Sequence, residues 1–168
     1  MMNKSPQSSS FGRILDALSC YLDICTKRTY DGEPAMKLEK YLALGKPNYS
    51  FVAEERNGVV NTTDLFRQLD EKIKPPFTEH QKADIAYSVV KAIVVKLTEI
   101  AIENAKSNNI KTIGLTGGVS YNIPITDMVE IGVKKAGLSL LVHNRVPNGD
   151  GGIAIGQNAI IGHKLHKT

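Results

Sequence analysis

Long apolar runs are missing from this chain. No stretch of about 18 apolar residues occurs, so no helical membrane span is expected. The opening MMNKSPQSSS is polar and lacks the apolar core of a signal peptide, and the expected location is the cytoplasm. Aromatic residues amount to only 6%, and the basic ones are scattered apart from TKR and KK. That pattern argues against a nucleic-acid groove lined with stacking aromatics. Neither sign of charge dominates: 21 Lys and Arg stand against 17 Asp and Glu, a net charge of +4. Such an excess suits an anionic small molecule as well as nucleic acid and identifies neither. Cysteine is nearly absent. Cys20 and Cys25 are the only ones and form no C-x-x-C, so a reduced, structural role on an amphipathic helix is expected.

What is present describes a soluble globular chain. Its 168 residues are 42% hydrophobic and 23% charged, enough for one domain or a large part of one. Residues 1–8 read as disordered. Ser candidates for an N-cap then precede Phe11, Ile14, Leu15, Leu18, Leu22 and Cys25, which recur at helical spacing. Gly32 and Pro34 in RTYDGEP are expected to break that helix, and AMKLEKYLALG reads as a second one stopped by Gly45. Apolar residues on both sides of Asn57-Gly58 predict a hairpin, and TTDLFRQLDEKI a short helix that ends before Pro75-Pro76. TEHQ fits a capping box, followed by Ile85, Val89, Ile93, Leu97 and Ile100 in a long helix to about Ser107.

The last third repeats one pattern. IKTIGLTGGVSYN and LSLLVHNRVPNGDGG each read as an apolar strand, a Gly-rich turn and a helix, the first helix from about Asn122 to Ala136 and the second to about His163. This order implies a parallel sheet covered by helices. Both turns would lie at carboxyl ends of strands, the edge where open α/β sheets bind ligands. Glycines there admit close approach, and free N–H groups attract an anion such as phosphate. TGGVSYN is neither G-x-G-x-x-G nor a Walker A loop, so Gly117 and Gly118 alone are equally compatible with a phosphate cradle and a left-handed turn. Asp150 can be a helix cap, an Asx turn or a metal-side carboxylate. A metal needs further ligands. His163 and His166 fall in a polar tail, while His143 lies near the strand end. Asp16 sits beside an apolar helix face, three residues from a possible partner, Arg13.

Three stretches, PQSSSFGRILDA, TYDGEPAMKLE and LTGGVSYN…RVPNGDGGIAIGQNAI, together resemble the carboxyl-terminal part of the HypF family, the carbamoyltransferases that mature nickel–iron hydrogenases. The family patterns P-x-T-S-S-x-G-R-x-F-D-A, Y-x-G-x-x-A-x-x-L-E, S-G-G-V-x-x-N and V-P-x-x-D-G-G-x-x-x-G-Q recur in order. Ser8 replaces the Thr, Leu15 the Phe, and Thr116 the Ser before the Gly pair. The resemblance implies an α/β fold. Residues 9–168 would form one lobe of an actin, sugar-kinase and Hsp70-like (ribonuclease H-like) module, with a mixed sheet and flanking helices.

It also implies a chemistry. Family members convert carbamoyl phosphate and ATP into an enzyme-bound carbamoyl adenylate, then pass the carbamoyl group to the carboxyl-terminal cysteine of HypE, where it becomes a cyanide ligand. On that resemblance Asp16 matches the acid that holds the nucleotide ribose, and Gly32 and Glu33 match the loop lining the same cleft. Gly117, Gly118 and Asn122 match the turn that holds the nucleotide, and Asp150 the carboxylate completing a metal site. The role of Lys37, where tRNA-modifying relatives carry an acid, stays open. Magnesium would accompany the nucleotide, and an iron or zinc site would be completed by another lobe. The family's H-x-x-x-H is absent here, as are the family's other domains, so the chain is expected to be a fragment or a split-gene product, inactive in carbamoyl transfer by itself. Its expected partners are the missing lobe and a HypE-like protein, with no membrane or nucleic acid. Two other readings are a non-catalytic nucleotide-binding assembly module and a lobe of a tRNA threonylcarbamoyl transferase. Gly151, where those transferases usually carry Asn, argues against the latter.

Overall fold

The computed structural model describes residues 8–165. The expected disordered start falls, for residues 1–7, outside the described residues, as does His166. The chain divides into two compact units, one through Lys96 and one from Leu97.

In the first unit, α1 (Phe11–Tyr21) buries Leu15, Leu18 and Ser19. The helix stops four residues before Cys25, earlier than its spacing suggests. Leu22 caps it, Asp23 takes a positive φ of 53°, and the Ile24 and Cys25 amides fold back onto the Ser19 carbonyl. Cys25 is therefore buried beyond the helix, and Cys20 is exposed on it. Ser10 holds the N-cap position, but its hydroxyl makes no capping bond.

Helix α2 (Glu33–Leu44) begins two residues before the expected AMKLEK start. Pro34 lies in its first turn, where a missing N–H costs nothing, so this proline opens the helix rather than breaking the previous one. The hairpin at Asn57-Gly58 forms with two-residue strands, β1 (Glu55–Arg56) and β2 (Val59–Val60). Helix α3 (Thr62–Lys72) is capped by Asn61, whose side chain accepts from the Asp64 amide, and it ends before the prolines.

Helix α4 (Glu79–Ser107) opens on the capping box as read. The Thr78 hydroxyl accepts from the Gln81 amide at 3.2 Å, and the Gln81 side chain accepts from the Thr78 amide at 2.9 Å. Ile85, Val89 and Ile93 are buried, but Leu97, which the same spacing places with them, is 43% exposed.

In the second unit, β3 (Thr112–Leu115) and β4 (Ser139–Val142) pair in parallel through the crossover helix α5 (Ile123–Lys135). Ala105, Val133 and Leu138 form the core of this unit, flanked by Ile102, Ile113, Val129, Ala136 and Leu140. The α/β class therefore holds, with the described strands standing in two separate pairs, one antiparallel and one parallel. The final helix α6 (Ile153–Leu165) contains no buried residue.

Candidate functional site

The Gly-rich turns meet at the carboxyl edge of β3 and β4. Gly117, at a φ of 96°, donates its amide to the Asn148 carbonyl at 2.9 Å. The same carbonyl accepts from the Thr116 hydroxyl at 3.2 Å, and Thr116 Oγ1 lies 3.1 Å from His143 Nε2. From the other side, the Gly149 amide donates to the Tyr121 hydroxyl at 3.3 Å. The edge encloses an open cleft of about 410 Å³ lined by Gly117, Gly118, His143, Asn148, Gly149 and Asp150, among others. The space directly beside the glycine pair is open, since a Cβ on either Gly117 or Gly118 would meet nothing within 4 Å.

The sequence places a helix directly behind each turn, whereas short 3-10 turns intervene, Gly118–Tyr121 after the first and Asp150–Gly152 in the second. Asn122 is 6% exposed, and its side chain caps α5 by accepting from the Ile125 amide at 3.2 Å. Of the Gly pair, Gly117 has its amide committed to Asn148, so an anion meets one fewer free donor than expected. Asp150 is exposed within its turn. Among the described residues no group of three or more His, Cys, Asp or Glu is placed to hold a metal ion. Asp150 therefore has no metal-ligating cluster around it among the described residues.

The remaining predicted residues lie in the first unit. Asp16 pairs with Arg13 through Oδ2 at 3.0 Å, the i, i+3 bridge that the sequence allows. Its Oδ1 is buried with no hydrogen-bond partner among the described residues, and so is the Ser19 hydroxyl one turn further along α1. Buried polar atoms are normally satisfied, so the Asp16 carboxylate retains an acceptor that the fold does not use.

Glu33 differs in this respect. It is 5% exposed, and Oε1 meets Lys37 Nζ at 2.7 Å while Oε2 accepts from the Thr29 amide at 2.5 Å and hydroxyl at 2.9 Å. The Lys37 hydrogen bond, then the Thr29 amide, hold its carboxyl down to about 2 against the stabilising effect of burial on the neutral acid. In return Glu33 raises Lys37. Glu33 thus closes the 29–33 loop, and Gly32, at a φ of 81° with nothing within 4 Å of a Cβ, is the open part of that loop. Lys37, whose role the sequence left open, also approaches the Cys25 sulfur at 4.0 Å.

Sequence reasoning passed over Thr116, Tyr121, Asn148 and Ser19. Only Thr116 carried a signal, as the residue in front of the glycine pair where the resembling family has another hydroxyl.

Comparison with known proteins agrees with the resemblance. The family model for "Carbamoyltransferase, Kae1-like Domain, second subdomain" matches residues 1–157. The "Probable carbamoyltransferase HypF" of Methanocaldococcus jannaschii is 40% identical over 152 residues, 90% of this chain and 20% of that protein. The crystal structure of T. kodakarensis HypF is similar with a TM-score of 0.81 and 36% identity, over 95% of this chain and 20% of that one. Full-length HypF in the phosphate- and nucleotide-bound form gives a TM-score of 0.78 at 25% identity, over 95% of this chain and 21% of that one. The chain thus spans about a fifth of the length of these relatives.

Proposed function

Because this chain belongs to the HypF carbamoyltransferase family, as the second subdomain of its Kae1-like domain, we propose that it supplies nucleotide-holding surfaces for carbamoyl transfer. The reaction it would serve uses carbamoyl phosphate and ATP, passes through a carbamoyl adenylate, and ends on the carboxyl-terminal cysteine of a HypE-like partner in hydrogenase maturation.

The observation that carries this reading is the joined pair of Gly-rich turns at the carboxyl edge of β3 and β4. Glycine backbone from both turns borders the cleft beside His143 and Asp150, which suits a phosphate chain at the ligand edge of an α/β unit. The family resemblance assigns Asp16 to a ribose hydroxyl, and the 19% exposed side chain has an Oδ1 with no competing hydrogen-bond partner among the described residues. Glu33 keeps the Gly32 loop in shape rather than touching the ligand. Asp150 would contribute one carboxylate to the iron or zinc site completed by another lobe, and that site would position the phosphates of the nucleotide.

The remaining domains found in HypF-family proteins are the proposed partner of α6. Ile153, Ile155, Ile160, Ile161 and Leu165 are all more than 45% exposed on it, an apolar surface of the kind that marks an interaction site.

Calorimetric titration of Mg·ATP into the purified chain, beside Asp16→Ala, tests the proposal. A tenfold loss of affinity in the variant, about 1.4 kcal/mol, is the expected result. Should the chain alone not bind, the same titration is made after adding the remaining HypF domains. Equal affinities of wild type and Asp16→Ala there would overturn the ribose assignment.

A further inference from the structure

The cleft residues assigned above make their shape depend on a side chain that none of those assignments includes. Thr116 ends the segment leaving β3, and its hydroxyl reaches both the Asn148 carbonyl and the His143 ring. A carbonyl can only accept, so the single hydroxyl proton goes to Asn148, and His143 must donate its Nε2 proton to Thr116. The next amide, of Gly117, goes to the same carbonyl. Three residues after Gly118, Tyr121 accepts from the Gly149 amide and lays its ring beside that glycine, with Cε2 3.4 Å from where a Cβ would stand. The segment 143–149, which delivers Asp150, is therefore tied at both of its ends to the segment 116–121. Among the described residues the Thr116 and Tyr121 hydroxyls supply the side-chain part of this tie, beside the backbone bond of the Gly117 amide.

We propose that Thr116, assisted by Tyr121, is the positioning residue that fixes the loop carrying Asp150 against the glycine pair. The assignment rests on the reading of this edge as a nucleotide site for its functional consequence, while the tie itself can be measured without nucleotide. Its chemistry needs a hydroxyl that donates and accepts at once. Serine meets that requirement. Valine, nearly the same shape, does not.

Amide hydrogen exchange at Gly117 and Gly149 is compared in the wild-type chain, Thr116→Val, Thr116→Ser and Tyr121→Phe, with the proton-coupled nitrogen spectrum of His143 recorded alongside. The expected result is roughly tenfold faster exchange in Thr116→Val, near-wild-type exchange in Thr116→Ser, and faster exchange at Gly149 in Tyr121→Phe, all at unchanged melting temperature. The His143 Nε2 proton should stay bonded in Thr116→Ser and be released in Thr116→Val. Unaltered exchange in Thr116→Val, or a serine variant as mobile as the valine one, overturns the proposal. If Thr116→Val fails to fold, Tyr121→Phe decides by the Gly149 amide alone, protection retained counting against. Mg·ATP titration of the same variants with the remaining HypF domains present then separates the two readings. A loosened loop with undiminished affinity overturns the positioning role. Absence of ATP binding in the wild type overturns the nucleotide reading and leaves the exchange result to decide the tie.

Discussion

Gly45 and Ala83 meet backbone to backbone: a Cβ built on Gly45 would stand 2.2 Å from the Ala83 carbonyl oxygen and 2.7 Å from Tyr87 Cβ. The glycine is required by this approach and not by a left-handed turn, since its φ is −75° and its ψ 158°. Gly45→Ala should therefore lower the stability of the chain by about 1–3 kcal/mol, the usual cost of forcing extra volume into a packed contact. Urea midpoints at constant slope measure it. Gly156→Ala, in α6 with open space around its Cβ, should be neutral or gain roughly 0.5–1 kcal/mol.

Asp84 secures the chain just beyond that contact. Although burial pushes its carboxyl up, the Lys46 amide at 2.8 Å and the Asn48 side chain at 2.7 Å hold it below the ordinary value, with His80 at 3.5 Å adding to the effect. Asp84→Ala leaves a buried-side amide without its charged acceptor, and a loss of about 1.5–3 kcal/mol is expected in the same urea experiment.

The Glu33–Lys37 pair makes stability depend on acid. Glu33 falls from an ordinary 4.5 to about 2 in the folded chain, so the unfolded chain binds the proton more readily. Its contribution is fully present above about 4.5 and is lost as pH falls towards 2. Glu33→Gln should flatten the acid limb of a stability–pH curve in that window, and an unchanged limb would refute the assignment. Lys37 is raised and works in the opposite sense: its share is present below 10.5 and disappears as pH rises through the higher folded value.

Asp16→Ala should separate stability from binding. The exposed-side bridge to Arg13 is worth at most about 1 kcal/mol, and the substitution also removes a buried acceptor that lacks a partner. Thermal melting should move little, or upward, while Mg·ATP affinity drops. A large destabilisation would mean that Oδ1 is satisfied within the fold.

The exposed apolar residues of α6 should make the isolated chain self-associate weakly. Ile161, 56% exposed, can be replaced by Glu without touching a core. Sedimentation velocity should show the association in wild type and its loss in Ile161→Glu, and addition of the remaining HypF domains should suppress it as well.

Much of the local structure was legible because it depends on neighbours in sequence. The Thr78–Gln81 box, the Asn57-Gly58 hairpin and the strand–turn–helix order of the last third all follow from contacts a few residues apart. The early stop of α1 was hidden, because Leu22 and Cys25 keep the apolar spacing after the backbone has left the helix. Pro34 misled for a related reason: the same ring that breaks a helix interior is welcome in a first turn, and only the position of Glu33 decides which applies.

For the site, the sequence by itself determined the residue types: glycines without side chains at two turns, acids at positions 16 and 150, and a family pattern connecting them. Tertiary structure decided which of those groups remain available. Glu33 is used up by Thr29 and Lys37, Asn122 by the end of α5, and the Gly117 amide by Asn148, whereas Asp16 keeps an unused oxygen. A hydrogen-bonding group offers only a few directed positions. Thr29, Lys37 and Ile125 fill theirs from within four residues, once the local backbone is fixed, whereas Asn148 reaches Gly117 from the second turn, a pairing set by packing that no short motif encodes.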